Sequence, residues 1–191
     1  MTSFFSKILI IVLTFLSLQK VDAAPWVGAG KLGYGVATFG DGETIPQRSL
    51  NAIPISFFGG LRWRKLQFGL NVDYVHQAQS AEPATVDDQN ASGSLIAVGP
   101  EVQWVGQKWG VSLGYKALSS YTFAQSASDG ESVRYAGSGY SITIMRSIRK
   151  RLGIYVDGGV DTFNKSNNQV LEPNVRNVRY SLGLIYSNFW K

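Results

Sequence analysis

His76 is the one histidine of the chain, and acyl-transfer chemistry would be sought around it. An imidazole activates a serine hydroxyl when a carboxylate orients its second nitrogen. Ser80 and Glu82 follow, but the residue two positions after His76, where a strand would carry a hydroxyl to the same face, is Ala78. Other reactive residue types are scarce. There is no cysteine, so disulfide and thiol chemistry are absent, and a metal could draw on little besides carboxylates. Asp87-Asp88 reads as a solvated acidic pair rather than a Ca²⁺ site. Gly28-Ala29-Gly30 and Gly33-Tyr34-Gly35 open no helix, so they are not a nucleotide fingerprint. They read as small residues that let strands curl. The expectation is no catalytic residue, no metal and no cofactor.

A larger set of chemical groups is spread along the chain. Lys31, Asp73, Glu101, Lys116, Asp157, Asp161 and Arg179 all occupy the polar phase of segments that alternate apolar and polar. A strand sends successive side chains to opposite faces, so each of these segments has one greasy face and one hydrophilic face. In Leu66–Gln77 the residues Leu66, Phe68, Leu70, Val72 and Tyr74 oppose Gln67, Gly69, Asn71 and Asp73. The last segment repeats this, with Val178, Tyr180, Leu182, Leu184 and Tyr186 against Arg179, Ser181, Gly183 and Ser187.

Six further segments can be read in the same way. They start near Trp26, Leu50, Ser94, Trp109, Tyr140 and Leu152. Pro54 and Pro100 stand inside two of them, and since proline donates nothing to a ladder, each predicts a bulge or strand end. Residues 62–65, 106–108 and 148–151 are tight turns, whereas 40–48, 78–92, 120–132 and 164–177 read as long polar loops. The expected fold is all-β: an eight-stranded antiparallel up-and-down barrel that spans a membrane, because strands can hide their backbone from lipid only by closing into a ring.

Residues 1–23 have the form of a secretory signal. Lys7 gives a positive start, Ile8–Leu18 is too short to span, and Val21-Asp22-Ala23 predicts cleavage after Ala23. One domain, 24–191, follows. Orientation comes from two further patterns. Trp26, Trp63, Trp104, Trp109 and Trp190 all fall at the short-turn end, which suits an aromatic girdle. That end also collects Arg62, Arg64, Lys65, Lys108, Arg146, Arg149, Lys150, Arg151 and Lys191. The long loops carry Asp41, Glu43, Glu82, Asp87, Asp88, Asp129, Glu131 and Glu172 against Arg48, Lys165 and Arg176. Both termini are expected in the periplasm, with the basic rim against anionic lipid headgroups.

In this architecture the chain resembles the small eight-stranded bacterial outer-membrane barrels of the OmpA-barrel and OmpX type. The local element that carries the likeness is the last strand, Tyr180-Ser-Leu-Gly-Leu-Ile-Tyr-Ser-Asn-Phe-Trp190. The resemblance implies recognition of that strand by the barrel-assembly machinery, although Lys191 follows the terminal aromatic pair. Some lipid A deacylases share the architecture and carry an outward histidine with a serine two residues on; Ala78 breaks that pattern here. Outer-membrane lipids, the assembly machinery and an extracellular ligand of unspecified kind are the expected partners. Nucleic acid is not, since the Arg149-Lys150-Arg151 turn has no aromatic platform. The expected role is structural or surface-interacting. A narrow solute channel of the OmpW type is the alternative and a lipid A acyl hydrolase the minor one.

An eight-stranded lumen is just wide enough to be filled by its own side chains. The inward charges are therefore expected to neutralise one another, with Glu101 reaching Lys116 and with Asp157 and Asp161 reaching Arg179.

Overall fold

The computed structural model describes residues 26–41, 43, 45, 47–79, 92–124, 132–167 and 169–190. The predicted cleavage site at Ala23, and Ser80, Glu82, Asp87, Asp88, Asp129, Glu131 and Lys191, lie outside these residues. Eight strands follow in order: β1 (Trp26–Gly40), β2 (Arg48–Trp63), β3 (Leu66–Ala78), β4 (Ser92–Val105), β5 (Trp109–Ala124), β6 (Ser132–Arg149), β7 (Leu152–Ser166) and β8 (Gln169–Ser187). Each pairs antiparallel with its sequence neighbour, and β1 pairs with β8, so the sheet closes and leaves no edge along the barrel wall.

The faces sort as the alternation predicts. Leu32, Phe57, Leu70, Leu113, Val156 and Leu182 point outward and stay exposed, while Lys31, Gln67, Asn71, Glu101, Asp161 and Arg179 are buried inside. The two proline positions behave differently. At Pro100 the β4–β5 register shifts between Val98 and Glu101, as expected. At Pro54 there is no bulge: Pro54 pairs opposite Val75 with β2–β3 in continuous register. The missing donor falls on the other side, where the β1–β2 pairing passes from Leu32↔Ile55 to Gly35↔Ala52 without changing register.

The largest departure is at the fourth long connection. Residues 164–177 are not a loop: β7 runs to Ser166, β8 begins at Gln169, and Asn167 turns the chain with φ 46°. Asparagine tolerates that left-handed conformation better than most residues. The segment 120–132 is also shorter as a loop than expected, since β5 continues to Ala124 and β6 starts at Ser132. The strands β5–β8 therefore rise as a four-stranded wall above the outward apolar band. A polar composition disguised these extensions, because above that band a strand no longer needs an apolar face.

β5 contains a bulge. Its register with β4 shifts opposite Gly99–Pro100, and its register with β6 shifts between Lys116 and Ser119. Below the bulge the odd residues Val111, Leu113 and Tyr115 face out; above it the odd residues Ser119, Tyr121 and Phe123 face in. One extra residue reverses every later side chain, because the pleat has period two.

Candidate functional site

The lumen is filled in three layers. At its middle lies the charged network the sequence picks out. Lys116 Nζ is 2.8 Å from Asp73 Oδ2 and 3.9 Å from Glu101 Oε2. Glu101 in turn accepts from Asn71 Nδ2 at 2.7 Å and from Gln103 Nε2 at 2.8 Å. On the opposite wall Arg179 Nη2 is 3.0 Å from Asp161 Oδ2, and Ser119 Oγ donates to Asp161 Oδ1 at 2.8 Å. Thr143 Oγ1 donates to Asp157 at 2.6 Å and accepts from Lys31 Nζ at 3.2 Å.

The pairings differ in detail from the expected ones. Lys116 has its short contact with Asp73, not Glu101. Asp157 turns to Thr143 and, at 4.0 Å, to Lys31, leaving Arg179 to Asp161. Sequence spacing along a hairpin points to partners on adjacent strands, whereas a lumen this narrow lets long side chains cross it. Thr143 and Ser119, which link these carboxylates, carry no charge and gave no signal in the sequence.

The other two layers are apolar. Towards the longer connections Phe39, Tyr121, Phe123, Tyr135 and Phe163 form an aromatic cluster with Leu50, Leu95 and Val175. Phe39 stacks on Tyr121 with centroids 4.6 Å apart. Gly93 makes room for that layer, since a Cβ there would collide with the Tyr121 hydroxyl. Towards the short turns Val27, Phe58, Val105, Met145, Tyr155 and Ile185 pack with Phe189 and Trp190. The chain past β8 thus folds inward as a cork. Asn188 fastens it to β1, accepting from Gly28 N at 2.9 Å and donating to Trp26 O at 3.1 Å. Arg62 Nη1 donates to Phe189 O at 2.9 Å.

Trp190 therefore departs from the expected girdle: it is 4% exposed and lies inside. The reason is that β8 ends at Ser187, so Trp190 no longer follows the strand's outward phase. Trp26, Trp63, Trp104 and Trp109 do face outward at the short-turn end. A second outward aromatic belt, unforeseen in the sequence, consists of Tyr34, Tyr74, Tyr115, Tyr140 and Tyr180. These tyrosines sit higher on their strands than the tryptophans. At about 3.3 Å per residue and a tilt of about 40°, the two belts are roughly 20 Å apart, close to the height of an apolar band that crosses an outer membrane.

His76 faces outward on β3, opposite Ile53 on one side and Ser94 on the other. Among the described residues no hydrogen bond joins it to a hydroxyl or carboxylate. At the longer-connection rim the described charges are Asp41, Glu43 and Glu172 with Arg48, Arg134, Lys165 and Arg176. The acidic excess expected there rests on residues outside the described set.

No protein family and no curated protein sequence matches the chain. Solved structures do. Neisserial surface protein A superposes with a TM-score of 0.58 at 17% identity, over 84% of this chain and 95% of that one. The attachment invasion locus protein Ail of Yersinia pestis superposes with a TM-score of 0.56 at 12% identity, over 84% and 97%. The same protein in complex with the heparin analogue sucrose octasulfate gives 0.55 at 12% identity, over 85% and 98%. The fold is thus that of the small eight-stranded outer-membrane barrels.

Proposed function

We propose that this protein is an integral outer-membrane barrel that works through its surface-exposed rim rather than through its lumen. The observation that carries this reading is the pairing of an outward apolar band, bordered by tryptophans below and tyrosines above, with a lumen occupied at three levels by buried side chains. The outward band suits hydrocarbon, and aromatic residues favour its two borders. The packed lumen favours a structural or adhesive barrel over a solute channel. The wall formed by β5–β8 stands above the band and offers contact surface where long connections ordinarily carry function. The similar structures include a protein whose name refers to attachment and invasion, in keeping with surface contact. Both termini would be periplasmic, and the outward pattern of Tyr180, Leu182, Leu184 and Tyr186 would present the last strand to the assembly machinery. Lipid A hydrolysis has no support in the placement of His76.

Expression of the full chain in a Gram-negative host tests this. The protein should fractionate with the outer membrane, migrate faster unheated than heated on SDS gels, and expose a tag placed within residues 79–91 at the cell surface. Deleting 79–91 should preserve the barrel and weaken any attachment of the cells to host surfaces. Recovery as a soluble periplasmic protein would overturn the reading.

A further inference from the structure

Arg146 lies in the outward phase of β6 near its short-turn end, in step with Tyr140, Ile142, Ile144 and Ile148. It pairs across the sheet with Trp109 of β5 and with Ile154 of β7. All of these neighbours point the same way and are exposed. The guanidinium lies over the Trp109 ring, 5.2 Å from its centroid. Among the described residues it makes no hydrogen bond and no ion pair. In the 62–65 turn Arg62 is turned under the barrel to Phe189 O, while Arg64 also lays its guanidinium over a tryptophan, Trp63, but from the turn itself rather than from a strand flanked by outward isoleucines.

An arginine surrounded by outward isoleucines and tryptophan, with no carboxylate, is costly at the edge of a hydrocarbon layer unless an anion meets it. The indole face holds the guanidinium through its π cloud and leaves the N–H edge free. That edge is a planar fork that fits two oxygens of a phosphate. The rim around it has a single sign. Lys108, whose carbonyl accepts from Ser147 N at 2.8 Å, adjoins β6 there, and Arg149 and Lys150 follow. The turns 62–65, 106–108 and 148–151 contain no Asp or Glu.

We infer that Arg146 and Trp109 form a binding site for the phosphate of an anionic phospholipid in the leaflet facing the short turns. This rests on the membrane reading above and deepens it from a general attraction to a particular site. Trp109 would lie along the glycerol region while Arg146 takes the phosphate oxygens, and Lys108 would favour a headgroup that brings no cation of its own.

The test uses the full folded chain in detergent with equal amounts of phosphatidylglycerol and phosphatidylcholine bearing the same acyl chains, and native mass spectrometry of the retained lipid. Wild type should retain phosphatidylglycerol preferentially. Arg146→Gln should reduce that retention by about tenfold, as expected for the loss of a hydrogen-bonded charge pair. Arg146→Lys should keep part of it, and Arg151→Gln, in a turn away from Trp109, should keep nearly all. Equal loss in Arg151→Gln, or no loss in Arg146→Gln, overturns the site. Displacement of the lipid by millimolar inorganic phosphate would mean a free-phosphate site and overturn the lipid assignment. Unheated gel mobility is read on each sample: a wild type that never folds in detergent counts against the membrane reading, whereas a folded one without lipid preference counts against this site alone.

Discussion

Trp190 lies so close to Gly153 that a Cβ on the glycine would come within 2.6 Å of the indole Cζ3. The last aromatic residue of the chain and the first inward position of β7 are therefore shaped for each other. Bare backbone at Gly153 is what lets the ring lie flat in the lower mouth, with Phe189 packed at its edge, 5.0 Å between centroids. The barrel is closed below by its own C-terminus, which touches β1, β2 and β7 at once.

This relationship can be measured with a double-mutant cycle. Trp190→Ala should cost about 3–5 kcal/mol, as large-to-small changes in a packed core do. Gly153→Ala should cost about 1–3 kcal/mol by crowding the ring. In the Trp190→Ala background the Gly153→Ala penalty should shrink by the share due to the ring, while the share due to the Arg146 carbonyl, 2.5 Å from the same Cβ, remains. Urea unfolding of the barrel in detergent or vesicles supplies all three values; strictly additive penalties would show that the ring does not rest on the glycine.

The two lumen lysines should differ in weight. Lys116 is fully buried and neutralises Asp73 at 2.8 Å, with Glu101 3.9 Å away. Removing it by Lys116→Met strands two buried carboxylates and should cost about 3–5 kcal/mol. Lys31 sits 4.0 Å from Asp157, whose oxygen already accepts from Thr143. Lys31→Met should cost clearly less. Adding Asp73→Asn to Lys116→Met should recover much of the first loss. Urea midpoints at neutral pH decide the order, and equal losses for the two lysines would refute it.

Conductance gives an independent reading of the filled lumen. Planar bilayers containing the wild type should stay electrically silent. Trp190→Ala should stay silent too, because the ion-pair layer and the stack of Phe39 on Tyr121 remain above the removed ring. Long-lived discrete openings in wild type would mean that the packed layers part in a membrane.

How far the sequence leads depends on whether a residue obeys period two. Leu70, Leu182, Asp73 and Arg179 obey it, and their faces could be read directly. The strands in the apolar band, the closure into a ring and the tryptophans of β1, β2, β4 and β5 follow from the same rule. What could not be read lies where the rule stops. Trp190 lies beyond the end of β8. Val170 and Glu172 belong to a strand in water, where neither face has to be apolar. Tyr121 and Phe123 come after the β5 bulge, so continuing the phase of Val111 and Leu113 would have sent them outward. Lys116 found Asp73 because the lumen brings together strands that are not joined by a hairpin, a fact of curvature rather than of spacing.

The bulge yields the last prediction. Lys116, Ala117 and Leu118 mark the place where β5 slips against both neighbours, and both Ala117 and Leu118 face outward. Deleting Ala117 removes the extra residue. Either the register above the bulge is kept, and Lys116 is pulled out of its pairing with Asp73, or the register below is kept, and Tyr121 and Phe123 turn away from Phe39. Both outcomes break a buried layer, so the deletion should abolish the fast-migrating unheated form on SDS gels. Replacing Ala117 by Ser, which keeps the chain length and an outward position, should leave that form in place. A deletion variant as compact and as urea-resistant as wild type would show that the phase of β5 is set by something other than this one residue.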